Sequence, residues 1–365
     1  MDILVCERIN DANEYTELLA KAYQRSGHRV IFDVQNFLYS DFMPDCVHIQ
    51  WPEAIYHWRH QLPLNNDTLE LLRQRLSLYA SRKIPIVYTA HNLLPHDNVS
   101  DFDKAAYSTM LSRANIIVHH GKASIPLLQN DFPECVNARH IVCPHGPYPF
   151  KLEDGGQARA FFGLSANRYI FLNFGRQRPN KGFNFINQAF KKWTEENAML
   201  FTIGPKTTAG RSNGFLGLMN LFKQKFMDTR LSALALAFSK RSKCILRPVG
   251  TKEIPKIVST ADVFFLGHQE GLNSGILALA ASYGKPVVFP DLGNFSEQLS
   301  GWPWKEKYKA GDVASAVKAL ERIMVRIKHV PPGQVVFDNK EWLSANSWDK
   351  HVRTITTEIQ KFHKE

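Results

Sequence analysis

The sequence predicts a two-domain α/β protein in which each domain is a mostly parallel sheet covered by helices on both faces. Three observations lead there. The chain has 365 residues, and at about 150 residues per domain it divides into two. Short apolar runs of strand character alternate with stretches of helical periodicity in both halves, the order that builds parallel sheets. A segment rich in proline and glycine, residues 144–156, interrupts the alternation near the middle.

The first half opens on an apolar strand at residues 3–6. Tyr15, Leu18, Leu19, Ala22 and Tyr23 follow at helical spacing on one face, and Gly27 stands where a C-cap glycine belongs. Further strands are expected at 30–32, 46–50, 84–89, 116–119 and 141–143, with helices around 66–82 and 101–113. The second half repeats the pattern. Strands are expected at 169–174, 200–203, 244–247, 263–266 and 286–289, with helices over 183–193 and 276–283. Asp312 suits the N-cap of a helix whose Val313, Ala316, Val317, Leu320, Ile323, Met324 and Ile327 share one side. A last helix is expected over 347–363. The expected boundaries are 1–148, 149–345 and 346–365, with a cleft between the first two.

Hydrophobic residues make up 44% of the chain and charged residues 22%, an ordinary globular composition. No run of about 18 uncharged apolar residues is present, so no membrane-spanning helix is expected. The first residues lack the features of a signal peptide, and Cys6, Cys46, Cys135, Cys143 and Cys244 show no paired spacing. Reduced thiols and a cytoplasmic location are therefore expected. The formal charge of +11 favours phosphate-rich partners. Lys206, Arg211, Lys223, Lys225, Arg230, Lys240, Arg241 and Lys243 are opposed only by Asp228. With apolar residues such as Phe215 and Phe222 between them, they suggest either a helix at an anionic lipid surface or an insertion with a solvated basic side. The strand at 3–6 is followed by Glu7-Arg8-Ile9-Asn10, not by glycines, which argues against a dinucleotide fingerprint.

Three patterns at strand ends carry chemistry. The first is Gly175-Arg176-Gln177-Arg178-Pro179-Asn180-Lys181-Gly182. A glycine turn and a helix start with two cations suit a diphosphate whose charge grows as it leaves; the plain structural alternative is a solvated basic loop. The second is Glu270-Gly271-Leu272-Asn273-Ser274-Gly275. It offers a phosphate or sugar hydroxyl a helix start, and it also reads as a common N-cap with a turn glycine. The third is Thr89-Ala90-His91-Asn92. Its histidine either meets a sugar hydroxyl or bonds backbone.

Together and in this order, these patterns resemble the GT-B glycosyltransferases of the glycogen-synthase- and sucrose-synthase-like family. The resemblance implies two Rossmann-like domains facing a cleft, with Pro144-His145-Gly146 as the hinge entry. Ser347-Trp348-Asp349 would open a helix that crosses back to the first domain. It implies that Gly175, Arg178 (or Arg176) and Lys181 bind the donor diphosphate. Glu253 and Ile254, within Thr251-Lys252-Glu253-Ile254-Pro255, would help hold the nucleotide base. Glu270, Leu272, Asn273, Ser274 and Gly275 would meet the donor sugar and phosphate. His48-Ile49-Gln50-Trp51-Pro52-Glu53 and the segment 89–96 are similar to a bacterial subgroup that builds exopolysaccharide or lipid-linked oligosaccharide, mannosyltransferases included. One departure stands out. The slot of the family's second glutamate falls at Leu279, beside Ala278, which puts the ribose contact and a retaining mechanism in doubt. On the side of the first strand the donor phosphate would be met differently, by Asn13.

The expected activity is hexosyl transfer, mannosyl among the candidates, from a nucleoside-diphosphate sugar to a glycan or lipid-linked hydroxyl in polysaccharide assembly. The acceptor would approach near Trp51, Glu53 and His91. If the reaction inverts, a base must take the acceptor's proton, and His91 and Glu53 are the candidates. No metal and no further cofactor are expected, because Asp101-Phe102-Asp103 reads as an acidic helix start. A peripheral position at the inner face of the plasma membrane is expected. The alternatives are a sugar-nucleotide epimerase or hydrolase on the same fold, and a non-catalytic basic protein for nucleic acid. The chain shows no basic–aromatic module for the latter.

Overall fold

The computed structural model describes residues 1–7, 14–57, 62–95, 99–206 and 241–365. They form two compact units, residues 1–147 with 343–365, and residues 148–342.

The first unit is built on six parallel strands: β1 (Asp2–Val5), β2 (Arg29–Phe32), β3 (Cys46–Ile49), β4 (Ile86–Thr89), β5 (Ile116–His119) and β6 (Arg139–Val142). Their order is β2-β1-β3-β4-β5-β6. The strands are apolar because both faces are covered; Cys46–Ile49, Ile86–Thr89 and Ile116–His119 are buried throughout. Helices α1 (Glu14–Arg25), α2 (Val34–Tyr39), α3 (Pro52–Tyr56), α4 (Asn66–Ser81), α5 (Asp101–Leu111) and α6 (Ser124–Asp131) complete the layers. Phe37 stacks on Tyr79 to join α2 and α4.

The second unit has the strands β7 (Tyr169–Phe174), β8 (Ala198–Ile203), β9 (Ser242–Ile245), β10 (Val263–Phe265), β11 (Val287–Pro290) and β12 (Lys305–Tyr308). Their order is β12-β11-β10-β7-β8-β9, again parallel. Its helices are α7 (Gly155–Phe161), α8 (Phe183–Lys192), α9 (Ile254–Thr260), α10 (Gly275–Ser282), α11 (Phe295–Gln298) and α12 (Val313–Ile327), and α13 (Lys340–Ala345) spans the boundary with the first unit. Asp312 caps α12 by accepting from the backbone of Ser315. Strand β12 has no counterpart in the sequence reading. Lys-Glu-Lys-Tyr at a sheet edge lacks the apolar run that marks a buried strand, because an edge keeps one side in water. Strand β9 ends two residues before its expected end, and α7 begins inside the expected linker.

The last helix, α14 (Trp348–Phe362), packs with the first unit. Ser347 caps it by accepting from the backbone of Lys350. Arg25 of α1 bonds Asp349 at 2.6 Å, and the Trp348 indole N–H donates to the carbonyl of Pro147. The helix that crosses back is therefore present.

Candidate functional site

In open parallel sheets, ligands gather at the carboxyl ends of strands where the strand order reverses. In the second unit that point lies between β7 and β10, because β8 continues on one side of β7 and β10 on the other. The two loops there are residues 175–182 and 266–274; the sequence singled out the first, and 270–275 at the end of the second.

Backbone demands fix these loops. Gly175 has φ of 112° and Gly182 of 64°. A Cβ on Gly182 would stand 1.9 Å from the carbonyl oxygen of Gly267, so only glycine lets the two loops pass this closely. The backbone N–H of Gln269 donates to the carbonyl of Asn180 at 2.8 Å and ties the loops together. Asn173 and Gln177 stiffen the first turn, with the Gln177 amide donating to the carbonyl of Gly175. On the second loop, Gly293 lets residues 291–294 run against Leu272; the N–H of Asn294 donates to the Leu272 carbonyl.

Lys181 reaches across from the first loop to the second and donates to Nε2 of His268 at 2.5 Å. Burial first, and then the charge of Arg178, lower the Lys181 pKa to about 8. Arg178 is partly buried and Arg176 is exposed, so it is Arg178 that shares the surroundings of Lys181. Ser274 begins α10 with 4% exposure, and its hydroxyl has no partner among the described residues. It makes no side-chain cap, and its own N–H donates to Gln298 Oε1. The amide of Asn294 donates to Asn273 Oδ1 at 2.8 Å. Glu270 is exposed, whereas Leu272 is buried, so only the backbone of Leu272 can meet a ligand. Glu253 lies past β9 in a forked ion pair with Arg247, one bond 2.7 Å long; that guanidinium lowers its pKa. Ile254 starts α9 beside it. Ala278 and Leu279 are buried in α10 and present no carboxylate.

In the first unit the order reverses between β1 and β3. Successive strand ends deliver a row of rings: Trp51 after β3, His91 after β4, His120 after β5 and His145 after β6. His91 stacks on Trp51 with centroids 3.9 Å apart and planes at 12°. Tyr15 of α1 meets His91 edge-on at 4.7 Å, and also faces His120, His145 and Trp348. Gln50 Oε1 accepts from His91 Nε2 at 2.9 Å. The other imidazoles are tethered through Nδ1. His120 bonds the carbonyl of Cys143, His351 that of Pro144, and His145 that of Gly146. Burial pushes His120 down to about 4, and His48, His145 and His351 to about 3. His91 is lowered well below the ordinary value by burial, then by His120, His145, His48 and His351. At neutral pH these rings are uncharged. Among the described residues, no three His, Cys, Asp or Glu side chains are arranged to hold a metal ion.

Glu53 is brought near this row by α3 but points into the core. It is 5% exposed and accepts from the Tyr107 hydroxyl at 2.6 Å. Asp103 of the D-x-D is consumed in the capping box of α5. It accepts from the N–H and hydroxyl of Ser100 and from the Tyr56 hydroxyl. Of the basic stretch, Arg241 donates to the Trp193 carbonyl and lies over the Phe190 ring. Residues 207–240, Asn13, Arg8-Ile9-Asn10 and His96 lie outside the described residues. Sequence reasoning did not single out Gln50, His120, Tyr15, His268 or Asn294 for the site. Their partners are distant in the chain, 87 positions for His268 with Lys181, and no local pattern marks them.

No family model matches the chain. A GDP-mannose:glycolipid 4-beta-D-mannosyltransferase from Xanthomonas campestris pv. campestris is 26% identical over 289 residues, covering 77% of this chain and 70% of that protein. Among solved structures, HepE of Anabaena with UDP and glucose matches with a TM-score of 0.64 at 14% identity, over 100% of this chain and 99% of that one. A sucrose-phosphate synthase from Thermosynechococcus elongatus matches equally, with 0.64 and 14%. The fold is that of the GT-B glycosyltransferases, two Rossmann-like domains with a returning terminal helix. The chain is a glycosyltransferase that draws its sugar from a nucleotide donor.

Proposed function

We propose that the chain transfers a mannosyl group from a nucleoside-diphosphate sugar to a hydroxyl of a glycolipid acceptor. The carrying observation is the meeting of Lys181, from the loop after β7, with the loop after β10, at the point where strand order reverses. Lys181, Arg178 and the start of α10 form one electropositive corner. A diphosphate bound there has its departing charge met by fixed cations and backbone N–H groups, with no reorganisation during the step. The Ser274 hydroxyl, without a partner among the described residues, adds one donor. Glu253, Ile254, Glu270 and Asn273 flank the same edge as candidate contacts for the base and sugar. Cations in this place take the role a metal would have, so EDTA is expected to leave the rate unchanged.

The mannosyl and glycolipid parts of the reading draw on the Xanthomonas relative. Its name specifies a β-linked product. Formation of such a bond from an α-linked donor inverts the anomeric carbon, and a base must then take the acceptor's proton. On the first unit His91 is the neutral imidazole suited to this, with Trp51 as an apolar face for a sugar ring; Glu53 is already engaged by Tyr107. The absence of a carboxylate at Ala278 and Leu279 agrees with inversion. Among the described residues no helix is long and apolar enough to cross a membrane; a glycolipid acceptor would be met at a membrane surface.

The test is a thermal-shift panel of GDP-, UDP- and ADP-sugars, followed by transfer from the binding donor to synthetic alkyl glycosides. GDP-mannose is expected to raise the melting temperature by mass action and to yield a mannosylated glycoside. Silence across the panel overturns the donor site. Donor turnover with no acceptor points to a hydrolase, and salt-dependent nucleic-acid binding without donor binding to the non-catalytic alternative.

A further inference from the structure

The turn that forms α11 is joined to the loop after β10 by three side chains. Asn294 donates its amide to Asn273 Oδ1. Phe295 abuts the His268 ring. Gln298 Oε1 accepts from the backbone N–H of Ser274 at 3.0 Å. Phe295 and Gln298 stand three residues apart and so share one face of the turn. The Ser274 bond settles which way the Gln298 amide faces. A backbone N–H only donates, so the atom opposite it is the oxygen, and the amide nitrogen keeps its hydrogens for another acceptor. Gln298 is 2% exposed, and that nitrogen is buried with no partner among the described residues. The Ser274 hydroxyl, beside the other end of the same bond, is in the same condition. Two polar groups withdrawn from water in this way cost folding free energy until an oxygen meets them.

The place they flank is the start of α10. Ser274 is the N-cap and Gly275 the first residue, so the first helical position brings no side chain of its own to the opening. The first turn also reaches the diphosphate loop: a Cβ on Gly175 would lie 3.9 Å from Ile276 Cδ1. Lys181 of that loop donates to His268, and His268 rests on Phe295. The turn at 294–298 therefore touches the ammonium through His268 and the start of α10 through Gln298. The two sides offer different things. An ammonium draws an anion by its charge, whereas an amide rewards only an acceptor atom at hydrogen-bond distance. We infer that Gln298 is a donor-contact residue: its amide nitrogen, together with the Ser274 hydroxyl, grips one acceptor oxygen of the nucleotide sugar at the start of α10. This rests on the donor site proposed above. The oxygen belongs either to the diphosphate or to a hydroxyl of the sugar, and both accept from an N–H. A ligand without that oxygen leaves both buried groups unpaired again, which is how such a pair selects among donors.

The experiment uses the full chain labelled with 15N-glutamine, with the Gln298 amide signal assigned by its loss in Q298E or Q298N. GDP and GDP-mannose are added separately. One Gln298 amide proton should move to lower field and exchange more slowly with solvent as the new hydrogen bond forms. A response to both ligands places the oxygen on the diphosphate, and a response to GDP-mannose alone places it on the sugar. Calorimetry supplies the second readout. Q298E keeps an oxygen for the Ser274 N–H but loses the amide hydrogens, and should bind GDP-mannose about 10-fold more weakly. S274A removes only the hydroxyl and should also weaken binding. The loss in S274A/Q298E should fall short of the product of the two single losses, because both groups grip one oxygen. An amide signal that stays still at saturating GDP-mannose overturns the inference, whatever the folding of the variants. So does wild-type affinity in Q298E, which would leave Gln298 as a clamp on the loop. A wild type that binds no nucleotide sugar overturns the donor site itself, a failure that Lys181→Ala reports independently of Gln298.

Discussion

Both units place their candidate chemistry at the carboxyl ends of their strands, yet they fill that place with opposite electrostatics. The second unit gathers charge: Lys181 and Arg178 stand at a loop crossing that only Gly182 permits. The first unit gathers rings that are held uncharged: His91, His120, His145 and His351 around Tyr15. A leaving diphosphate needs fixed positive charge, and an acceptor hydroxyl needs a neutral lone pair. The contrast is what a transfer between two differently charged partners demands. It teaches that the two halves of one fold are tuned by what is buried beside the strand ends, not by the sheet.

The largest effect that would break this contrast lies on the charged side. Lys181→Ala is expected to lower kcat/KM roughly 10²- to 10³-fold, as for removal of one group that stabilises developing charge. The wild-type pH dependence sharpens the point. A lysine lowered to about 8 loses its charge as pH rises through that value, so donor affinity should fall above it. Titration calorimetry with GDP-mannose between pH 6.5 and 9.5 checks this; constant affinity across the range would remove Lys181 from the donor site.

The neutral side makes the next prediction. Five imidazoles, His48, His119, His120, His145 and His351, sit near 3 or 4 in the fold, against about 6.5 in an unfolded chain. Between those values the unfolded chain binds the protons, so stability is complete above about 6.5 and is lost as pH falls towards the folded values. Each such group steepens the loss by up to about 1.4 kcal/mol per pH unit within that window. Urea unfolding at stepped pH measures it. Carboxylates add to any acid slope, and His120→Gln separates the two by flattening the slope by about one proton. A slope untouched by that change would mean His120 is charged in the fold.

The contrast also explains what the sequence could show. Alternation of apolar runs marked strands such as Tyr169–Phe174 and the strand ends that carry Lys181, Ser274 and His91. Local caps, Asp312 above all, were equally plain. These are signals within a few residues, set by backbone chemistry. The edge strand Lys305–Tyr308 was hidden because three of its four residues are charged and leave no apolar run. The ring cluster was hidden for another reason: Tyr15 and His351 meet across 336 positions, and nothing in their own neighbourhoods demands the contact. Glu53 looked available as a base because its partner, Tyr107, lies 54 positions away. Local patterns reveal where a backbone ends a strand, whereas the protonation state of the side chain there depends on partners folded in from elsewhere.

The smallest effect tests whether the charged corner is positioned or merely present. His268 is 5% exposed, held edge-on against Phe295 at 5.2 Å, and accepts from the Lys181 ammonium through Nε2. If that contact aims the ammonium at the diphosphate, its loss should be felt in donor binding more than in the chemical step. His268→Ala is expected to raise the KM for GDP-mannose about 10-fold, near 1.4 kcal/mol at 25 °C, with kcat little changed. His268→Gln offers an amide oxygen at a similar reach and should recover most of the loss. A residue that only fills space would not distinguish the two variants, since alanine and glutamine both remove the ring from Phe295. Equal KM values for them would therefore assign His268 to packing and leave Lys181 to find its own position.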